Sequence, residues 1–234
     1  SPVYFPGRKN LLYRINYFRN RINLEMFHVL ADGTGAFVFF KTIVANYLSI
    51  KHNLGITCDS IESSSAADRT ADAFKQFYTH QKGLNQLKEM SFAKAYQLKG
   101  DPDEDLMPHV IEGTISASRF VEEAHKQNTS VGILTTAIYI AAVINEMSLR
   151  DRKLPVIVSV PVNLRTFFPS DTTRNFFGVI NISYQPEESG IDLAKITQTV
   201  KESFEHHLSM DQITQTMNSY SALEHNIAIQ VAPL

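Results

Sequence analysis

The periodicity of the sequence changes at residues 28–33, and this change constrains the fold more than any other feature. Before it, apolar and polar residues alternate, which is typical of a half-buried strand. One face of that strand carries Ile22, Leu24, Met26 and His28. After it, apolar residues recur at helical spacing, at Ile43, Val44, Tyr47 and Leu48. The pattern predicts a strand that ends at His28 and a helix over about 35–49.

His28, Asp32 and Gly33 stand at this junction in an HxxxDG arrangement. His28 shares a strand face with apolar residues, so we expect partial burial that fixes the direction of its ring. A neutral imidazole can accept a proton near pH 7, which makes His28 a candidate general base. A histidine on an apolar face is also compatible with a structural core residue, and the spacing alone leaves both interpretations open.

Asp32 and Gly33 are predicted to have structural roles beside the histidine. Asp32 lies beyond the strand end, where its carboxylate can accept from free backbone N–H groups of the helix and pair with a nearby cation. Gly33 allows a backbone dihedral or a close approach that other residues resist.

Composition excludes several classes of protein. The 234 residues are 44% hydrophobic, which is ample for a core, and 24 acidic residues against 22 basic ones make the chain nearly neutral. The basic cluster around Arg14, Arg19 and Arg21 lies in a predicted hairpin, and no basic face indicates nucleic-acid binding. The only cysteine, Cys58, excludes an intrachain disulfide and a CxxC metal site.

The sequence shows no apolar run that is long enough to span a membrane and no pattern of a signal peptide at its N-terminus. We therefore expect a cytoplasmic protein without a membrane span.

The remaining patterns predict an α/β chain. Residues 11–28 form a hairpin that turns near 19–21, and 50–110 is less regular, with one or two helices near 68–95. Ser130 and Asp192 are predicted N-caps of two helices. The later elements are a strand over 110–115, helices near 117–127 and 130–147, strands over 155–163 and 175–184, and a helix near 193–209.

Two further patterns predict little function. His207 and Asp211 repeat the HxxxD spacing without the glycine, but they lie near the end of an amphipathic helix, where a histidine interacts favourably with the helix dipole. The glycines at 33 and 35 lack the third glycine and the βαβ context of a dinucleotide loop.

Three segments resemble one superfamily of acyltransferases. Residues 14–33 are similar to the region around the catalytic histidine of chloramphenicol acetyltransferases, plant acyl-CoA-dependent acyltransferases and peptide-synthetase condensation domains. Residues 156–165 resemble the strand of that superfamily that ends in PVNLR, and 174–180 resemble the GNFFG strand after it. Within the superfamily, the chain most resembles bacterial stand-alone proteins that are alcohol acetyltransferase-like.

The resemblance implies two lobes of mixed β-sheet flanked by helices, as in chloramphenicol acetyltransferase. Residues 1–54 would belong to the N-terminal lobe, 55–110 would connect the lobes, and 111–234 would belong to the C-terminal lobe. The strands over 155–163 and 175–184 would be neighbours in one sheet, with the helices near 130–147 and 193–209 packed on it. The superfamily has segments before and after the matched ones, so the chain is expected to be incomplete.

The resemblance also implies an activity. His28 would remove the proton of an alcohol hydroxyl, which attacks the carbonyl of a thioester; acyl-CoA would be a co-substrate, with no permanently bound cofactor and no metal. A carrier-protein thioester is the alternative donor. Oxyanion or substrate contacts would come from the Gly33 N–H, the Thr34 hydroxyl or Asn175, although core packing explains Asn175 equally well.

The motif aspartate of the superfamily is usually paired with an arginine, so the resemblance predicts a salt bridge between Asp32 and Arg165. A buried lone carboxylate is costly, and the two-pronged guanidinium suits it as a partner. The alternative is an Arg165 side chain that faces solvent at a strand end.

Phe27 separates the chain from one branch of the superfamily. Peptide-synthetase condensation domains typically carry two consecutive histidines, and Phe27 takes the place of the first. This favours a stand-alone acyltransferase over an amide-forming condensation domain. A rival of a different class is a non-catalytic scaffold or carrier-binding protein that keeps the fold.

Overall fold

The computed structural model of the protein describes residues 11–55, 64–79, 94–100, 110–188 and 190–224. These contain helices and two small sheets, which confirms the predicted α/β class. The strands are β1 (Tyr13–Phe18), β2 (Arg21–Met26), β3 (Val156–Asn163) and β4 (Phe177–Tyr184). The helices are α1 (Gly33–His52), α2 (Ala66–Thr70), α3 (Ala73–Phe77), α4 (Ala117–Lys126), α5 (Val131–Glu146), α6 (Leu193–His207) and α7 (Met210–Glu224).

Both sheets have two strands among the described residues. Strands β1 and β2 are antiparallel, with Tyr13 opposite Met26 and Phe18 opposite Arg21, so the predicted hairpin is confirmed. Its turn places Arg19 at a φ of 53°, in the left-handed region. Strands β3 and β4 are hydrogen-bonded neighbours in one sheet, which confirms that prediction as well.

The described residues form two compact units, each made from separate stretches of the chain. The first unit comprises 11–55, 64–79, 161–178 and 215–224, and the second comprises 94–100, 110–160, 179–188 and 190–214. The contiguous lobes expected from the resemblance remain a prediction.

The core of the first unit is aromatic. Phe176 is fully buried, and its ring meets Phe74 edge to face at a centroid distance of 5.1 Å. Phe77 contacts both Phe176 and Phe168. Such ring pairs contribute stability beyond the burial of their area. They hold the segment that leads into β4, which carries part of the candidate site.

The core of the second unit is aliphatic and follows helical periodicity. Helices α5 and α6 pack against each other. The buried faces carry Leu134, Ala137, Ile140 and Ile144 on α5, and Ile196 and Val200 on α6. Ser130 caps α5 by accepting from the Ile133 N–H, and Asp192 caps α6. Both caps were predicted from the sequence and are confirmed.

The predicted strand over 110–115 is wrong. These residues have no regular structure, and Ile111 is 98% exposed. A strand exists only where a neighbour accepts its backbone hydrogen bonds, and no described strand pairs with this stretch. An apolar sequence alone cannot supply that neighbour.

The predicted helices near 68–95 are present in part, as α2 and α3. Residues 80–93 and Cys58 lie outside the described residues.

Within the described ranges, no single helix is long and apolar enough to cross a membrane. The pair α4 and α5 together has the length and composition of a membrane span, but the two helices are bent by 86° relative to each other.

Candidate functional site

His28 lies in a turn between β2 and α1. Strand β2 ends at Met26, although the Phe27 N–H still donates to the Leu12 carbonyl at 2.8 Å. The Leu30 N–H then donates to the Phe27 carbonyl at 3.0 Å, which closes a turn. The prediction that the strand continues to His28, with the ring partly buried on its apolar face, is therefore wrong: the turn breaks the alternation, and His28 is exposed.

Two side chains from the start of β4 and the loop before it contact His28. The Phe177 ring meets the imidazole edge to face, with ring centroids 5.6 Å apart. The Asn175 side-chain amide donates to the main-chain carbonyl of His28 at 2.9 Å. The ring is thus open to solvent on one side and held against a phenyl ring on another.

Asp32 caps the helix that follows. Its backbone is extended, with φ −77° and ψ 179°, and its Oδ1 accepts from the Gly35 N–H at 2.9 Å. Its own carbonyl accepts from the Ala36 N–H. This is the capping role that the sequence predicted, and it satisfies donors that a helix leaves free in its first turn.

The predicted salt bridge between Asp32 and Arg165 is present. Nη1 of Arg165 lies 2.7 Å from Oδ2 of Asp32, and the two side chains are only 10% and 6% exposed. Arg165 stands in a short 3-10 turn directly after β3, and its Nε and Nη2 donate to the carbonyls of Thr172 and Arg174. The alternative of a solvent-facing Arg165 is wrong, because its guanidinium donates hydrogen bonds to the Asp32 carboxylate and to two main-chain carbonyls.

The protonation of Asp32 reflects this environment. Burial on its own would raise the pKa of Asp32, but the Arg165 guanidinium and the N–H donors of Gly35 and Phe176 outweigh it and hold the pKa below its usual 3.8. The Phe176 N–H donates to Oδ2 at 2.9 Å. The carboxylate is therefore ionised at neutral pH and occupied on both oxygens, which fits a structural role.

The structural need for glycine falls on Gly35 and not on Gly33. A Cβ at Gly33 would meet nothing within 4 Å, and its φ is not positive. A Cβ at Gly35 would lie 2.0 Å from the Thr173 carbonyl oxygen. The expectation of a close approach or an unusual dihedral at Gly33 is wrong. The loop before β4 approaches α1 two residues later, at Gly35.

The other two predicted contact residues, Thr34 and Asn175, differ in how exposed they are. Thr34 is exposed in the first turn of α1. Asn175 is half-buried and uses its amide to hold the His28 carbonyl, so its environment is neither open cleft nor plain core packing. The roles of Gly33, Thr34 and Asn175 toward a substrate remain predictions.

Sequence reasoning missed Phe177 and Thr172. Thr172 is 3% exposed, and its hydroxyl donates to the Ala71 carbonyl at 2.7 Å while its own carbonyl accepts from Arg165. Nothing in the local pattern marks a buried threonine of this kind. Gly35 had a signal, since it is the second glycine of Gly33-Thr34-Gly35.

Within the described part of the chain, no group of three or more His, Cys, Asp or Glu side chains is placed to hold a metal ion. The candidate site consists of His28, the start of the helix beside it and the residues that contact both.

Comparison with known proteins gives structural neighbours only. No protein-family model matches the sequence, and no curated protein matches it. The polyketide synthase associated protein 5 from Mycobacterium tuberculosis aligns with a TM-score of 0.60 at 16% identity, over 94% of this chain and 58% of that chain. The first condensation domain of the CDA synthetase aligns with a TM-score of 0.51 at 16% identity, over 82% of this chain and 42% of that chain.

The chain spans about half the length of these two structures. At such identities the likeness concerns the fold and does not extend to the activity. It agrees with the resemblance seen at residues 14–33, 156–165 and 174–180. The protein has a condensation-domain-like α/β fold of helices and small sheets, of which this chain covers a part.

Proposed function

We propose that the full-length protein is an acyltransferase that moves an acyl group from a thioester, acyl-CoA in the first instance, to the hydroxyl of an alcohol. One observation carries the proposal. The exposed His28 imidazole packs against Phe177, and its main-chain carbonyl accepts from Asn175, directly before a helix whose cap, Asp32, is paired with Arg165. A general base needs an accessible ring in a defined direction, and the exposed imidazole beside Phe177 supports this role.

His28 acts as the base in this mechanism. Its neutral imidazole takes the hydroxyl proton of the alcohol while the alcohol oxygen attacks the thioester carbonyl. The tetrahedral oxyanion then collapses, the carbon–sulfur bond breaks, and the imidazolium returns the proton to the leaving thiolate. The products are an ester and a free thiol, and no acyl-enzyme forms.

The start of α1 is the proposed oxyanion site. The first N–H groups of a helix have no acceptor within it, and the helix dipole favours negative charge there. Asp32 occupies the Gly35 N–H, which leaves the Gly33 N–H and the Thr34 hydroxyl as the preferred donors. Asn175 is the weaker candidate, because its amide already donates to His28.

Two alternatives remain for the donor and the class. A carrier-protein thioester could replace acyl-CoA, and one structural neighbour is by its name a polyketide synthase associated protein. The fold also suits a condensation domain, but Phe27, at the place of that branch's first histidine, favours the stand-alone acyltransferase. A non-catalytic carrier-binding protein would keep the fold without using His28.

The test measures thiol release from acetyl-CoA by the full-length protein, with and without a series of primary alcohols, and identifies the ester by mass spectrometry. We expect alcohol-dependent release that falls about 10²–10⁴-fold in His28→Ala, the usual effect of losing a general base. A parallel arm offers an acylated carrier protein. Alcohol-dependent transfer that survives in His28→Ala contradicts the mechanism, and binding of a carrier without any transfer supports the scaffold.

A further inference from the structure

We propose that Asn175 is a positioning residue that sets the direction of the His28 imidazole, and that it connects the Asp32–Arg165 ion pair to the histidine. The inference rests on the proposed function for its kinetic readout only. Its structural part, the orientation of His28, stands on the contacts around Asn175.

The first step is the hydrogen bond itself. The Asn175 amide donates to the His28 main-chain carbonyl at 2.9 Å, across 147 residues of sequence. This carbonyl lies in the turn between β2 and α1, where the Leu30 N–H bonds back to Phe27. A bond to that carbonyl fixes the peptide plane of His28 and therefore the direction in which its side chain leaves the backbone.

The second step is what holds Asn175. The carbonyl of Arg174, before it, accepts from Arg165 Nη2 at 2.6 Å, and the N–H of Phe176, after it, donates to Asp32 Oδ2 at 2.9 Å. The ion pair therefore fixes the backbone on both sides of Asn175. The carboxylate of Asp32 acts on His28 through this loop and caps α1 at the same time.

The third step is an imbalance at Asn175. Its Oδ1 is buried and has no hydrogen-bond partner among the described residues. Exchanging the oxygen and nitrogen of the amide would place two acceptors against each other at the His28 carbonyl, so the orientation is determined. A buried, unpaired acceptor is unfavourable for folding. The hydrogen bond to His28 is therefore the contact that the Asn175 amide makes at the expense of an unpaired oxygen.

Phe177 completes the arrangement, because its ring meets the imidazole edge to face at 5.6 Å. Asn175 and Phe177 are separated only by the buried Phe176. One short segment thus contacts both the carbonyl and the ring of His28. A substitution of Asn175 that removes the hydrogen bond to the His28 carbonyl should therefore allow the imidazole to move away from Phe177.

The experiment uses the full-length protein with Asn175→Leu and Asn175→Asp. Leucine has the same branching of heavy atoms and removes both the donor and the unpaired oxygen; aspartate keeps the shape but presents only acceptors. The matched control is Asn46→Leu, since Asn46 also donates to a main-chain carbonyl, that of Thr42, in an exposed turn of α1. The thermal midpoint of each variant identifies any that fails to fold.

Histidine carrying ¹³C at Cε1 reports the ring by NMR, through the nuclear Overhauser effect between His28 Hε1 and the Phe177 ring. We expect this effect to be lost in both Asn175 variants and kept in Asn46→Leu. We also expect kcat to fall about 10–100-fold with KM for the thioester within twofold, because a small misplacement of a reacting group is enough for such a loss.

The outcomes separate the two proposals. An unchanged Overhauser effect, or an unchanged kcat, in a folded Asn175 variant overturns the inference. Loss of the Overhauser effect in a protein that shows no His28-dependent transfer supports the positioning and contradicts the proposed function instead. A fall in activity that comes with a large rise in KM and an intact Overhauser effect would make Asn175 a substrate contact.

Discussion

The chain contains the same spacing of histidine and aspartate twice, and the two regions differ in what surrounds them. At His28 and Asp32, the histidine is exposed and the aspartate is buried against Arg165. At His207 and Asp211, the histidine is half-buried and the aspartate is exposed. The first region thus has an exposed histidine and a buried aspartate, and the second has the opposite arrangement.

The second region is explained by its helix ends. Helix α6 ends at His207, whose ring meets that of His206 at a centroid distance of 5.2 Å, and Asp211 lies in the first turn of α7. Burial lowers the pKa of His207, and the charge of His206 lowers it further. Aspartate in the first turn of a helix is favoured by the dipole, and neither residue needs a distant partner.

The first region depends on a partner 133 residues away in sequence. Arg165 donates to Asp32 and to two carbonyls of the loop before β4. Asn175, in the same loop, donates to the main-chain carbonyl of His28. The comparison shows that the spacing of two residues is compatible with very different environments. A distant ion pair, and not the spacing, distinguishes the candidate site.

The largest expected difference is between the two histidines in acyl transfer. We expect His28→Ala to reduce kcat about 10²–10⁴-fold, while His207→Ala leaves kcat within about twofold, because only the first imidazole is the proposed general base. Both variants are assayed by thiol release in the full-length protein. Equal losses in the two variants would remove the functional distinction between the regions.

The two aspartates should differ most in stability. Asp32→Ala leaves a buried guanidinium unpaired and removes a helix cap, so we expect the free energy of unfolding to fall by about 3–5 kcal/mol. Asp211→Ala changes an exposed residue, and we expect a change within about 0.5 kcal/mol. Urea denaturation measures both. A loss below about 1 kcal/mol for Asp32→Ala would show that the buried pair does not stabilise the fold.

The two regions also differ in the residue after the aspartate. Gly33 follows Asp32, with Gly35 two residues later, whereas Gln212 follows Asp211. We expect Gly35→Ala to lower the free energy of unfolding by about 1–3 kcal/mol, because its Cβ would press on the Thr173 carbonyl. Gly33→Ala meets open space and should change stability by less than about 1 kcal/mol, in the stabilising direction. The reverse order would place the tight approach at Gly33.

The smallest expected effect is on the acid dependence of stability. The folded pKa of Asp32 lies below 3.8, so its contribution is fully present above about pH 3.8 and is lost as the pH falls through the folded pKa. Arg165→Met removes the main group that lowers this pKa and leaves burial, which raises it. Protonation of Asp32 then costs the folded state less, so acidification should lower the stability of the variant less than that of the unchanged protein.

The acid dependence is measured as the free energy of unfolding against pH, between about pH 3 and 7. The control compares Asp32→Asn with and without Arg165→Met: position 32 no longer titrates in either variant, so the difference in pH dependence caused by Arg165→Met should disappear. An identical pH dependence with and without Arg165 would mean that the guanidinium does not control the protonation of Asp32.

Several elements followed from local sequence. The β1–β2 hairpin, α5 with its Ser130 cap and α6 with its Asp192 cap were predicted from alternation, helical spacing and capping residues. These features depend on neighbours within a few residues, so a single sequence contains them. The Asp32–Arg165 salt bridge was predicted from family resemblance, since no local pattern relates two residues so far apart.

Other predictions failed where distant contacts decide the outcome. The stretch 110–115 has strand-like residues but no described partner strand, and the alternation up to His28 is broken by a turn that exposes the ring. The glycine that the fold requires was misplaced by two residues, because the position of the Thr173 carbonyl is not visible in the sequence near α1.

The sequence by itself determined α1, α4, α5, α6 and the hairpin, because their hydrogen bonds join residues that are close along the chain. It also determined that a histidine precedes a capped helix. It did not predict α7. The tertiary structure decided that Asp32 is buried, that Gly35 is pressed by a carbonyl, and that Asn175 and Phe177 hold His28. Each of these depends on where the loop before β4 meets α1, which only the packing of distant segments establishes.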